Sequence, residues 1–127
     1  MKIKQLLMLG LMVLTTVTLS NCKLNEYKEK VANTEIHEVD LSQVDDGTYE
    51  GFYDCYMVKA KVNVTVSDHK ITDIVIVEHD NGRGEEGEKV VPKVMEKQSL
   101  KVDTISGATA SSKIILKAIE LALTGEK

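Results

Sequence analysis

The ten residues from Asp103 to Ser112 read Asp-Thr-Ile-Ser-Gly-Ala-Thr-Ala-Ser-Ser, which sets hydroxyl side chains closely around one glycine. Directly behind them the chain becomes apolar and free of proline, in a helical pattern. A turn made by Gly107, hydroxyls on Ser106, Thr109, Ser111 and Ser112, and the start of a helix form the arrangement in which N–H groups and hydroxyls cradle a phosphate. The same residue types also suit an ordinary helix start capped by Asp or Ser. Residue types alone leave both readings open, and if there is a ligand it is an anion.

Other residues with chemical potential are scattered. Arg83 lies in the polar, glycine-rich stretch Glu78–Glu88, where it could pair with a phosphate or remain a solvated charge; His79 reads as a polar strand end. His37 stands among Glu35, Glu38 and Asp40, a cluster that mixed-charge segments produce by chance, so no metal site is expected. There is no His/Cys ligand spacing, no Gly-x-Ser-x-Gly elbow and no carboxylate pair in a known motif. No catalytic residue is assigned.

The elements that must position these residues follow from periodicity. Asp46-Gly47 is a turn pair leading into a strand over Thr48–Tyr56, where Tyr49, Phe52, Tyr53 and Tyr56 suit either a core lining or a stacking surface. Val58, Ala60, Val62, Val64 and Val66 alternate with Lys59, Lys61, Asn63 and Thr65, the period of a half-buried strand. Ser67-Asp68-His69-Lys70 then turns the chain into Ile71–Val77, giving an antiparallel hairpin. The uninterrupted Ile74-Val75-Ile76-Val77 predicts a central strand covered on both faces. One helix is expected over Val91–Leu100, with Pro92 in its first turn and Val91, Val94, Met95 and Gln98 along one side. A second is expected over Ser111–Leu123, stopped by Gly125, with Lys113, Lys117 and Glu120 on a wet face. The fold class is therefore α+β: a small antiparallel, hairpin-containing sheet packed with two helices, preceded by a signal peptide and a polar tether.

Lys2 and Lys4 followed by the apolar run Leu6–Val17 form a signal-peptide pattern, too short to span a bilayer comfortably. Leu19-Ser20-Asn21-Cys22 resembles the lipobox of bacterial lipoproteins, in which the Cys is acylated; Asn21 departs from the Gly, Ala or Ser usual before that Cys. The expected domains are a lipoprotein-type signal peptide at 1–21, a lipid-anchored polar tether at 22–45 and a globular domain at 46–124. As a flexible coil the tether would span roughly 25 Å. Lipidation of Cys22 leaves Cys55 without a disulfide partner, whereas a Cys22–Cys55 bridge would require ordinary secretory cleavage or an uncleaved anchor. Cleavage before Cys22 removes two lysines and no acidic residue, so the formal charge of −4 becomes −6. That balance argues against nucleic-acid binding and against electrostatic adsorption to anionic lipid.

Asp103-x-x-Ser106-Gly107-Ala108-Thr109 resembles the signature of the FMN-binding domain family, which includes flavin subunits of the Rnf and sodium-pumping NADH:quinone oxidoreductase complexes and small exported lipoproteins. The likeness runs over residues 46–124, through "DGTYEG", "KVNVTVSDHKITDIVIVEHDNGRG" and "VMEKQSLKVDTISGATASSKIILKAIELAL". The resemblance implies FMN as cofactor, joined by a phosphoester to Thr109 by a flavin transferase, with non-covalent binding as the variant. Ser106, Ser111 and Ser112 would then donate to phosphate oxygens, Gly107 and Ala108 would keep the site open, and Asp103 would serve transferase recognition or cap the turn. The redox chemistry would belong to the flavin, making the protein an electron carrier more than an enzyme. Its setting would be the extracytoplasmic face of the cell membrane, with redox proteins of a membrane electron-transfer chain as partners. A cofactor-free lipoprotein module that contacts a partner protein is the alternative.

Overall fold

The computed structural model describes residues 24–80 and 85–125. The signal-peptide segment, Cys22 and Arg83 lie outside the described residues. Three strands, β1 (Gly47–Cys55), β2 (Val58–Ser67) and β3 (Lys70–Asp80), form an antiparallel sheet in the order β1-β2-β3. The period-two pattern of β2 does what it predicts: Val58, Ala60, Val62, Val64 and Val66 are all buried on one face. The hairpin turn places Asp68 and His69 both at positive φ (52° and 59°), the geometry of a two-residue turn whose twist matches the strands.

β2, not β3, is the central strand. Val75 and Val77 are 49% and 51% exposed on the uncovered face. The apolar run misleads because β3 carries two bulges. β2 residues Ala60, Val62, Val64 and Val66 pair with His79, Ile76, Ile74 and Ile71, so Val77 and Thr72 are the extra residues at the two register shifts. Each shift re-phases the strand and keeps Ile71, Ile74, Ile76 and His79 on the inner side.

The inner face is covered by α3 (Thr109–Thr124), which starts two residues earlier than expected and ends at Gly125 in the left-handed region (φ 72°). Ile114, Ile115 and Ile119 are fully buried, each contributing roughly 1.5–3 kcal/mol of apolar burial. α3 lies so close to β1 that a Cβ on Gly51 would stand 1.9 Å from the Ala118 carbonyl oxygen. The other expected helix appears as a short 3-10 turn (Glu85–Lys89) running into α2 (Val90–Lys97), with Pro92 in the first turn. Gln98 ends α2 with φ 53°, and its side chain pairs with the edge of β3, accepting from Ile71 N–H at 2.7 Å and donating to Ile71 C=O at 2.9 Å.

The segment read as a coil tether is folded onto the domain. Residues 24–33 are helical (α1), with Tyr27 and Val31 packed against the core, and Ile36, Val39, Leu41 and Val44 continue the contact. The polar side chains of α3 expected to face water hold this segment. Lys113 donates to Val31 C=O at 3.1 Å and Lys117 to Glu35 C=O at 3.2 Å. Glu120 is 3% exposed and accepts from the His37 N–H and from Lys117. Farther along, Glu38 accepts from Ser99 Oγ and from Leu100 N–H. The stripe Leu24, Tyr27, Val31 has helical spacing but is short, and α1 is held by distant groups: Tyr53 and Asp54 of β1 and Lys113 of α3.

Candidate functional site

The decapeptide sits where a turn meets a helix. Ala108 N–H donates to Ile105 C=O at 2.9 Å, closing a turn in which Gly107 has φ 80°. That positive φ at the third turn position is what selects glycine, since nothing lies within 4 Å of where its Cβ would be. Ala108 is the N-cap of α3 and no side chain caps the helix. The first intrahelical bond runs from Ser112 N–H to Ala108 C=O at 3.0 Å, so the amides of Thr109, Ala110 and Ser111 precede the hydrogen-bond ladder, at the positive end of the helix dipole.

The hydroxyls divide by helical phase. Ser106, Gly107 and Thr109 face outward and are exposed; Ala108, Ser111 and Ser112 face inward and are buried. Ser112 is fully buried, donates to Ala108 C=O at 2.8 Å and accepts from Ile105 N–H at 3.0 Å. It locks the turn to the helix, which corrects its expected role as a phosphate donor: both partners are backbone groups. Ser111 lies beneath Gly87, where an added Cβ would come 2.7 Å from Ser111 Cβ. Asp103 is exposed and its backbone carbonyl accepts from Lys93 at 3.4 Å; it does not cap α3. A groove of about 470 Å³ between α2 and the approach to the turn is lined by Lys93, Glu96, Lys97, Val102 and Asp103.

The larger cavity, about 580 Å³, opens along α1 and contains no residue of the decapeptide. There Lys30 lies over the rings of Tyr53 and Tyr56, at 5.3 and 4.9 Å. The aromatics of β1 split: Tyr49 and Tyr53 turn inward and anchor their hydroxyls on Asp45 C=O and Thr34, while Phe52 stands on the open face. His79 faces inward with Nδ1 3.4 Å from the Glu88 carboxylate. Cys55 is a free, fully buried thiol; burial raises its pKa, with Lys30 opposing and Asp54 adding to the shift, so it stays an unreactive thiol. Of the acids around His37, Glu38 accepts from Ser99 and Asp40 from Ser42. Sequence reasoning missed Gly51, Gly87 and Glu120, whose importance arises from distant segments coming together.

An exposed secondary hydroxyl at the first position of a sixteen-residue helix that no side chain caps suits a phosphate group. The model of the FMN-binding domain family matches residues 56–124, which span β2, β3, α2 and α3 with the decapeptide leading into and beginning α3. The chain belongs to the FMN-binding domain family, and FMN is its cofactor. No curated protein and no solved structure shows significant similarity to the chain. β1 precedes the matched residues yet completes the sheet on which α3 packs.

Proposed function

We propose that the protein is an electron carrier held by a lipid on Cys22 at the extracytoplasmic face of the membrane, with FMN esterified to Thr109. The observation that carries the covalent reading is the outward-facing Thr109 hydroxyl at the uncapped start of α3, behind the open Gly107 turn. When bound, FMN supplies the one- and two-electron chemistry. The chain supplies position: the amides at the head of α3 favour the phosphoester's negative charge, and Ser112 fixes the turn that presents Thr109. Ser106, exposed three residues before Thr109, would donate to a phosphate oxygen. The open turn leaves Thr109 accessible to a flavin transferase.

The test is to export the protein with and without a flavin transferase, denature it and look for flavin fluorescence in the gel band. Wild type is fluorescent only with the transferase, and Thr109→Ala is dark. A dark wild-type band beside a labelled control acceptor sinks the covalent reading; yellow native protein that loses its flavin on denaturation assigns non-covalent binding. Cys22→Ala releases the protein from membranes, and continued retention would refute lipid anchoring.

A further inference from the structure

We propose that the end of the molecule formed by the β1–β2 turn and the start of α1 rests on the lipid bilayer, which turns the Thr109 end of the domain toward the membrane. This rests on the lipidation of Cys22 proposed above. Tyr56 and Met57, the two turn residues, are 65% and 59% exposed, and Leu24 at the start of α1 is 40% exposed. Tyr56 and Met57 share a groove with Asp54 and with Glu26, which lies in the first turn of the helix that Leu24 begins, and Lys30 sits over the Tyr56 ring while donating to Asp54 C=O. An aromatic with a polar tip beside a flexible thioether and a leucine is the composition of an interfacial contact, wet at one edge and apolar at the other.

The anchor's position selects lipid as the occupant. Leu24 follows Cys22 by two residues, a reach of at most about 7 Å. A coil from 23 to 45 would let the domain swing clear of the headgroups. Folding residues 24–44 onto the domain removes that freedom and leaves the apolar end beside the acyl chains. At such a short tether even a weak apolar contact is engaged, because the anchor keeps its local concentration high. The opposite end, with Asp45, Asp46, Asp68 and His69, is polar.

The same end carries the flavin site. β2 begins at this turn, and its first residues, Lys59 and Ala60, pair with Asp80 and His79 at the end of β3. Nδ1 of His79 lies 3.4 Å from the carboxylate of Glu88, in the 3-10 turn whose Gly87 lies against Ser111 and Ser112 in the first turn of α3. A group on Thr109 is thereby held at the membrane end of the domain, within reach of a membrane-embedded electron donor or acceptor.

The chain contains no tryptophan, so single-indole variants report directly. Full-length lipidated Met57→Trp and, at the far end of the sheet, Ser67→Trp are reconstituted into phosphatidylethanolamine/phosphatidylglycerol vesicles with and without brominated acyl chains. The expected result is a blue-shifted Met57→Trp emission quenched severalfold more than that of Ser67→Trp. Equal, weak quenching of both variants in protein that floats with the vesicles overturns the proposal and leaves lipidation standing. A blue shift without bromine quenching that grows with protein concentration also overturns it, in favour of a second copy on this surface. Protein that does not float, and behaves like Cys22→Ala, overturns lipidation and this proposal together.

Discussion

At the scale of single residues, the hydroxyls of the decapeptide have two different jobs. Ser112 joins turn and helix through two backbone groups, and removing it leaves the part-buried Ile105 N–H without its acceptor. Ser112→Ala should destabilise the domain by about 1–3 kcal/mol in urea unfolding, whereas the exposed Ser106→Ala should stay within about 0.5 kcal/mol of wild type. Gly51 offers a second contrast. Its added methyl would collide with the Ala118 carbonyl and the Ala122 Cβ, neither of which can rotate away. Gly51→Ala should therefore lower the thermal midpoint by the equivalent of about 1–3 kcal/mol or abolish folding. Gly107→Ala meets no atom and should carry only the cost of positive φ, about 1 kcal/mol.

At the scale of elements, the N-terminal segment is a clasp over α3 rather than a spacer. Beyond α1 it is fastened by Glu38 to Ser99 and Leu100. Burial works against the charge on Glu38, but hydrogen bonds from Ser99 and from the Leu100 and Val39 amides, with Lys101 nearby, outweigh it and hold the carboxyl below its ordinary value. A depressed carboxyl contributes stability that is fully present above the unfolded-state value and is lost as pH falls through the folded one. Thermal midpoints followed from neutral pH down to about pH 3 should fall less steeply in Glu38→Gln than in wild type. An acid limb identical in the two proteins would show that this contact does not titrate with folding. Glu120 holds the adjacent His37, and at 3% exposure its side chain depends on Lys117 and the His37 amide as partners.

At the scale of the whole molecule, charge and attachment are separate matters. The chain is acidic, with a formal charge of −4, so the covalent anchor proposed on Cys22 should hold it in salt solutions that strip electrostatically bound proteins. Membrane fractions washed in about 1 M salt, where screening acts within about 3 Å, should retain wild type, while Cys22→Ala should be soluble without any wash. Release of wild type by salt would show that charge, not lipid, holds the protein. The sheet's other face remains open in the described residues, with Phe52, Val75 and Val77 standing among Lys59, Lys61 and Asn63.

What the chain declared by itself was local. The alternation in β2, the Asp68-His69 turn, Pro92 at the head of one helix and Gly125 at the end of the other are each set by neighbours a few residues away, and all of them stand in the structure. The family signature around Thr109 was legible for the same reason, as its spacing is contiguous. Tertiary structure alone decided which strand is central, because two bulges in β3 shift the phase that a run of isoleucines and valines leaves ambiguous. It also decided which serines face solvent and which lock the turn, and it buried Glu120 beneath a segment more than 80 residues away. Contacts between segments so distant in sequence leave no periodic trace in either one, so they become visible only when the chain has closed upon itself.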